Sequence, residues 1–173
     1  MTWLLTASGR QFDPIDPQPD MIDLVDIATG LSNECRFAGQ CKFFYSVAQH
    51  SVLVSQHVPP QHAWEALLHD AAEAYIKDIP APIKRLLPDY RALEHKIESA
   101  IRARFGLPPI QTPSIKHADL MLLATERRDL MPDTGDAWPM IEGIAPLDKR
   151  IRAVHSSQAK SHFMQRALEV LQA

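Results

Sequence analysis

Apolar residues recur along this chain at three- and four-residue spacing, in stretches that proline and glycine separate. That period marks helices with one buried face. The first stretch has Asp20 as its N-cap, Met21, Leu24, Val25 and Ala28 on one face, and Gly30 as its close. A second helix is predicted from the cap Ser46 to about Val58. Pro59-Pro60 ends it and opens a third, which runs to about Lys77 over Ala63, Ala66, Leu67, Leu68, Ala71, Ala72 and Tyr75. The segment Asp78-Ile79-Pro80-Ala81-Pro82 breaks that helix, and a short one holding Lys84 and Arg85 follows. Leu93, Ile97, Ile101 and Phe105 mark a longer helix that starts at Pro88 or Asp89 and stops at Gly106. Ile115, Leu120, Leu122, Leu123 and Leu130 mark the next, from Pro113 or Ser114. The last is capped by Ser156 or Ser157 and reaches Leu171. Residues 33–45 and 131–146 read as irregular loops. Residues 1–19 are not helical in pattern, and a short hairpin around Ser8-Gly9 fits them.

The chain has 14 prolines and only 6 glycines, and the prolines fall between the periodic stretches. The expectation is therefore a compact all-α bundle of six to seven helices, one domain over residues 1–173. A chain of 173 residues is ordinary for a single domain and can bury roughly 68–70% of its unfolded surface. Hydrophobic residues at 46% and charged ones at 23% exclude a disordered class. The net charge of −3 argues against a nucleic-acid polymer as partner and leaves room for a local basic pocket. No apolar run approaches the ~20 residues of a membrane helix. The first seven residues lack the basic start and apolar run of a secretory signal. A cytoplasmic location without membrane partner is expected. Cys35 and Cys41, the only cysteines, read as reduced thiols that pack as small apolar residues.

Chemistry enters with ionisable residues set among apolar ones. His50 lies mid-helix. His69-Asp70 is framed by Leu67, Leu68, Ala71 and Ala72, and Asp119 stands inside the fifth long helix. Buried imidazoles and carboxylates are costly unless paired or bound to a metal. Two His and two Asp form a mixed N/O set suited to one divalent ion: Mn, Co, Fe, Ni, Zn or Mg. Four protein ligands on an ion that accepts five or six leave room for water and a phosphate oxygen. Glu73 follows His69 at i+4 and Asp70 at i+3, so it shares their helix face. A third acid there is poor core packing and good company for a bound water. A lone His-Asp dipeptide would carry no such weight.

His50, His69-Asp70 and Asp119, in that order on a helical chain, resemble the motif of the HD-domain metal-dependent phosphohydrolases. The stretch from His69 to Lys84, HDAAEAYIKDIPAPIK, is similar to the small bacterial 5′-deoxynucleotidases and to their phage relatives that hydrolyse deoxynucleoside triphosphates. The resemblance spans roughly residues 20–119. It implies that His50, His69, Asp70 and Asp119 bind the metal and that Glu73 positions or deprotonates the attacking water. By the same resemblance Asp78 is an acid near the sugar or leaving oxygen; the alternative is a plain turn residue. Arg36-Phe37 stands where the family carries Arg-Trp, at slightly different spacing. Arg36 then meets phosphate, and Phe37 either stacks on a base or sugar or packs in the core. Lys84 and Lys116 are candidate phosphate contacts, against the ordinary reading of solvated lysines.

The remaining groups carry less. His57, His62, His95, His155 and His162 sit in polar stretches that face solvent, and His117 points away from Asp119. Glu126, at i+7 from Asp119, either supports the site or is a surface acid. Trp64 and Trp138 fit core or interface positions better than base platforms. The leading reading is a phosphatase of deoxynucleoside 5′-monophosphates. A triphosphohydrolase that releases triphosphate is the alternative, and Lys84 and Lys116 lean mildly towards it. A non-catalytic nucleotide sensor is the alternative of another class, although no ligand and no Glu73 equivalent is missing. Relatives of this kind form dimers and larger rings, so a homodimer or higher homo-oligomer is expected.

Overall fold

A computed structural model describes residues 3–172. As the periodicity predicts, the fold is all-α, with one short hairpin near the N-terminus. In that hairpin β1 (Leu4–Leu5) pairs antiparallel with β2 (Gln11–Phe12) around the Ser8-Gly9 turn. Eight helices follow among the described residues: α1 (Leu24–Asn33), α2 (Val47–Gln56), α3 (Ala63–Leu67), α4 (Glu73–Ile76), α5 (Ala81–Lys84), α6 (Pro88–Phe105), α7 (Pro113–Leu130) and α8 (Ser156–Leu171).

Helix α2 is the central element. It packs on α1, α3, α7 and α8, and buries Val47, Ala48, His50, Ser51, Val52, Val54 and Ser55. A helix enclosed on several sides needs small or apolar residues over most of its circumference. Ser46 caps it as predicted, its hydroxyl accepting from the Gln49 amide at 3.2 Å. The main core joins Ile27 and Leu31 of α1, Val52 of α2, Leu67 of α3, Ile97 and Ile101 of α6 and Phe163 of α8. A smaller one joins Val54, Ala66, Ile115, Ala118 and Leu122 under α7.

Three boundaries differ from the sequence reading. Asp23, not Asp20, caps α1, because its carboxylate reaches the Val25 amide at 2.8 Å. Asp20 belongs to a preceding turn of 3-10 helix, Pro19–Met21. Gly30 lies inside α1 and does not end it. There Ala74 of α4 approaches so closely that a Cβ would stand 2.6 Å from the Ala74 carbonyl oxygen. The last helix is capped one residue early, by His155, in a reciprocal pair with Gln158.

The predicted third helix is broken in two, which raises the helix count above the expected six to seven. Between α3 and α4 the amides of Leu68, Ala71 and Glu73 bond three residues back, to Glu65, Leu68 and Asp70. The cause is local. His69 Nδ1 takes the Ala66 carbonyl at 2.8 Å, which a continuous α-helix would give to the Asp70 amide. His69 and Asp70 therefore sit in a tight turn that faces α2. No helix among the described residues is long and apolar enough to cross a membrane.

Candidate metal centre

Three elements converge on one point. His50 comes from the middle of α2, His69 and Asp70 from the turn between α3 and α4, and Asp119 from α7. One ligand atom each from His50, His69 and Asp119 lies within 4.8 Å of the others. Asp70 joins on the imidazole side, its Oδ2 at 3.1 Å from His69 Nε2 and 3.6 Å from His50 Nε2. Asp119 Oδ1 is 3.3 Å from His50 Nε2. Ligands about 2.1 Å from an ion stand roughly 3 to 4 Å from one another, and the His50–Asp70, His50–Asp119 and His69–Asp70 distances fall in that range.

The orientation of the imidazoles sharpens the point. His50 Nδ1 is bonded to Glu126 Oε1 at 2.6 Å and His69 Nδ1 to the Ala66 carbonyl at 2.8 Å. A carbonyl can only accept, so His69 donates from Nδ1 and presents a lone pair at Nε2. Both Nε2 atoms are buried, and neither is hydrogen-bonded among the described residues, although carboxylate oxygens stand close by. Buried nitrogens left open beside carboxylates are the donor set of a cation site. The residues present fit a divalent ion.

Charge tells the same story. Burial and the Arg36 charge both push the His50 imidazole down, yet Glu126 and Asp119 outweigh them and hold its pKa at about 9. Burial would raise Asp70, but His69 and His50 carry it well below the usual carboxylate range. Asp119 is likewise lowered against its burial, by His50 first and then His69 and Lys116. The cluster holds more negative charge than its neighbours neutralise, and it draws in a proton where a cation would serve.

Glu73 opens α4, and its Oε2 is buried without a hydrogen-bond partner. Burial, then repulsion from Asp70 and Asp78, hold its pKa well above the usual range. Asp78 is raised too, chiefly by burial, with Arg36 pulling the other way.

Arg36 and Glu126 back the cluster. Arg36 stands in the turn between α1 and α2; its Nη2 donates to Glu126 Oε2 at 3.0 Å, and its Nη1 is 3.7 Å from Asp70 Oδ2. Burial disfavours the guanidinium charge, but Glu126, Asp70 and Asp78 outweigh that and keep it charged. Glu126 is wholly buried, so the surface alternative for it fails. Its i+7 spacing from Asp119 was the signal available in sequence, and that spacing brings both acids to one face of α7.

Both lysines are paired, Lys116 with a member of the cluster itself. Lys84 Nζ donates to Glu94 at 2.7 Å, and Lys116 Nζ to Asp119 Oδ2 at 2.9 Å. Beside the cluster opens a cavity of about 490 Å³, lined by Arg36, Phe37, Asp78, Leu123, Trp138 and Met140. Phe37 is half-buried on its wall rather than in the core. Trp138, expected at a core or interface position, lies on that wall; its proline-broken loop has no period that would have placed it there. Next to Arg36, the Cys35 and Cys41 sulfurs are 3.7 Å apart and half-buried as free thiols. They form a facing pair, which the reading as separate small apolar residues did not contain. His57, His95, His117, His155 and His162 are exposed, and His62 is half-buried against the Ser114 hydroxyl.

No protein-family model matches the chain. It is 56% identical over 144 residues to the uncharacterized protein YfdR of Escherichia coli K12, a match that covers 83% of this chain and 81% of that protein. It is also 36% identical over 126 residues to the uncharacterized protein RCAP_rcc00048 of Rhodobacter capsulatus, covering 67% of this chain and 64% of that one.

Proposed function

The chain belongs to the family of YfdR, and we propose that it is a divalent-metal phosphohydrolase of the HD-domain kind that acts on small deoxynucleotides. The observation that carries the reading is the pair of buried, unpartnered Nε2 atoms of His50 and His69 facing Asp70 and Asp119. Those four side chains would hold the ion. Its chemistry, when bound, is polarisation of a phosphoryl oxygen and acidification of water.

The other residues divide the proton work. Glu73 accepts the proton of the attacking water at its free Oε2, and burial with repulsion from Asp70 and Asp78 raises its pKa and so strengthens it as a base. Asp78, on the cavity wall, would return a proton to the leaving O5′ oxygen, and burial raises its carboxyl in that direction. Water oxygen bonds to phosphorus, the phosphorus–O5′ bond breaks, and phosphate and a deoxynucleoside leave. Arg36 stays charged beside Asp70 and Asp78, on the side where phosphate oxygens would lie.

The pairing of Lys84 with Glu94 favours the monophosphate, because a triphosphate needs more cations. Lys116 stands at the cluster itself, on Asp119, and keeps the triphosphohydrolase as the alternative.

The test is a panel of nucleotides with Mn, Co, Mg or Zn added, with phosphate, pyrophosphate and triphosphate separated as products. Phosphate from deoxynucleoside monophosphates is expected. Glu73→Ala and His69→Ala should each slow the reaction at least about 100-fold, and only His69→Ala should lose bound metal on elemental analysis. Variants as fast as the parent would overturn the enzyme reading; a binding-only sensor would show metal and nucleotide binding without products.

A further inference from the structure

The cavity beside the metal cluster has two kinds of lining. Arg36 and Asp78 are its charged residues, and Arg36 also touches the cluster through Asp70. Leu123, Met140 and two aromatic rings are apolar, and the Arg36 guanidinium stands 5.4 Å from the Phe37 ring centroid. The rings of Phe37 and Trp138 meet edge to face, centroids 6.3 Å apart at 61°. They make a corner with two π-surfaces, in a volume of about 490 Å³ that suits a small molecule.

Both rings are held in place. Phe37 and Ala38 adopt left-handed backbone, φ 57° and 50°, which side chains with a Cβ rarely take. Such strain persists where the surroundings enforce it, and here it sets the Phe37 ring on the cavity wall. Trp138 is backed by the Arg127 guanidinium, 5.6 Å from its ring centroid, and Arg127 also bonds the Asp136 carbonyl of the same loop. Ile141, buried in the 3-10 turn Pro139–Ile141, anchors the loop beyond it. Trp138 itself is half-buried on the cavity wall and not in the core.

We propose that Trp138, together with Phe37, is the wall that recognises the base of the substrate. The site then selects a phosphate monoester whose alcohol carries a planar, unsaturated ring, with the phosphate towards Arg36 and the ring in the aromatic corner. The proposal rests on the phosphohydrolase reading for its phosphate end, while the corner stands on its own geometry. Base stacking on an aromatic side chain is sequence-tolerant, so the wall distinguishes nucleotides from sugar phosphates more than one base from another.

The experiment compares a deoxynucleoside monophosphate with deoxyribose 5-phosphate, which shares sugar and phosphate and lacks the base. In Trp138→Ala the kcat/KM ratio between the two should fall roughly 5- to 100-fold, through KM for the nucleotide. Trp138→Phe should restore most of it. In parallel, a free deoxynucleoside should quench the tryptophan fluorescence of the parent, and the quench should vanish in Trp138→Phe. A ratio unchanged in Trp138→Ala, with nucleotide hydrolysis intact, would overturn the wall and leave the phosphohydrolase standing. Quenching that depends on Trp138, in a protein that hydrolyses nothing, would uphold the wall and sink the phosphohydrolase.

Discussion

Glu126 decides how much of the site survives a single change. It accepts from His50 at 2.6 Å and from Arg36 at 3.0 Å, wholly out of water. Removing one partner of a buried ion pair leaves the other charge unsolvated, and that loss is far larger than the net value of the pair. Glu126→Ala should therefore destabilise the protein by about 3–5 kcal/mol, measured by urea unfolding. It also frees the His50 ring that Glu126 holds in register with the cluster. Support of that kind is worth about 10- to 100-fold in metal affinity, which calorimetric titration with Mn would read. A Glu126→Ala protein as stable as the parent would mean that Arg36 finds another partner, with Asp70 the nearest.

Two elements reach the site through contacts outside it. Helix α1 lies against α4 because Gly30 has no side chain where Ala74 passes. An alanine would gain about 1 kcal/mol of helix propensity, yet its Cβ would meet the Ala74 carbonyl oxygen at 2.6 Å and the Ala74 Cα at 2.8 Å. Backbone cannot swing aside as a flexible side chain can, so α4 must move. Gly30→Ala should cost about 1–3 kcal/mol net, and Tm should fall, because overpacking outweighs propensity. Since Glu73 opens α4, activity should fall with it. The second element is the strap after the Trp138 loop. Asp129 near the end of α7 accepts the Ile151 amide at 2.8 Å, and Arg128 donates to the Leu147 and Lys149 carbonyls. The Arg128 hydrogen bond holds the Asp129 carboxyl below its usual range, against burial. A carboxyl depressed in the folded state stabilises above its unfolded value, near 3.9, and that stability is lost as pH falls through the folded value. Asp129→Asn should thus be less stable than the parent at neutral pH, and the gap should close as pH drops below about 3.9. A gap that is constant with pH would assign the role of Asp129 to the hydrogen bond to Ile151 alone.

Across the whole molecule, what was legible in sequence depended on range. Helical period, proline punctuation and Gly106 as a stop report on neighbours within a few residues, and those elements stand where they were predicted. Gly30 deceived because its reason lies across space, in Ala74, and no local pattern records that. The break at His69 deceived because a side chain took a backbone carbonyl in a stretch of good helix formers. His50, His69, Asp70 and Asp119 were legible as polar residues on apolar faces. Trp138 was not, because a loop has no face. The four legible residues come from three separate elements, and this sets the last expectation. An ion held by α2, the α3–α4 turn and α7 binds the folded chain and not the unfolded one, so it must stabilise the whole by mass action. At free Mn or Co near 100 times its dissociation constant, the gain is about 2.7 kcal/mol, and Tm should rise on addition and fall back with a chelator. His69→Ala removes a ligand together with its Nδ1 bond to the Ala66 carbonyl, so this variant should lose some stability at the α3–α4 turn and show no metal-dependent rise. If the parent too shows none, the four side chains are a buried polar cluster held by their own charges, and His50 keeps its proton.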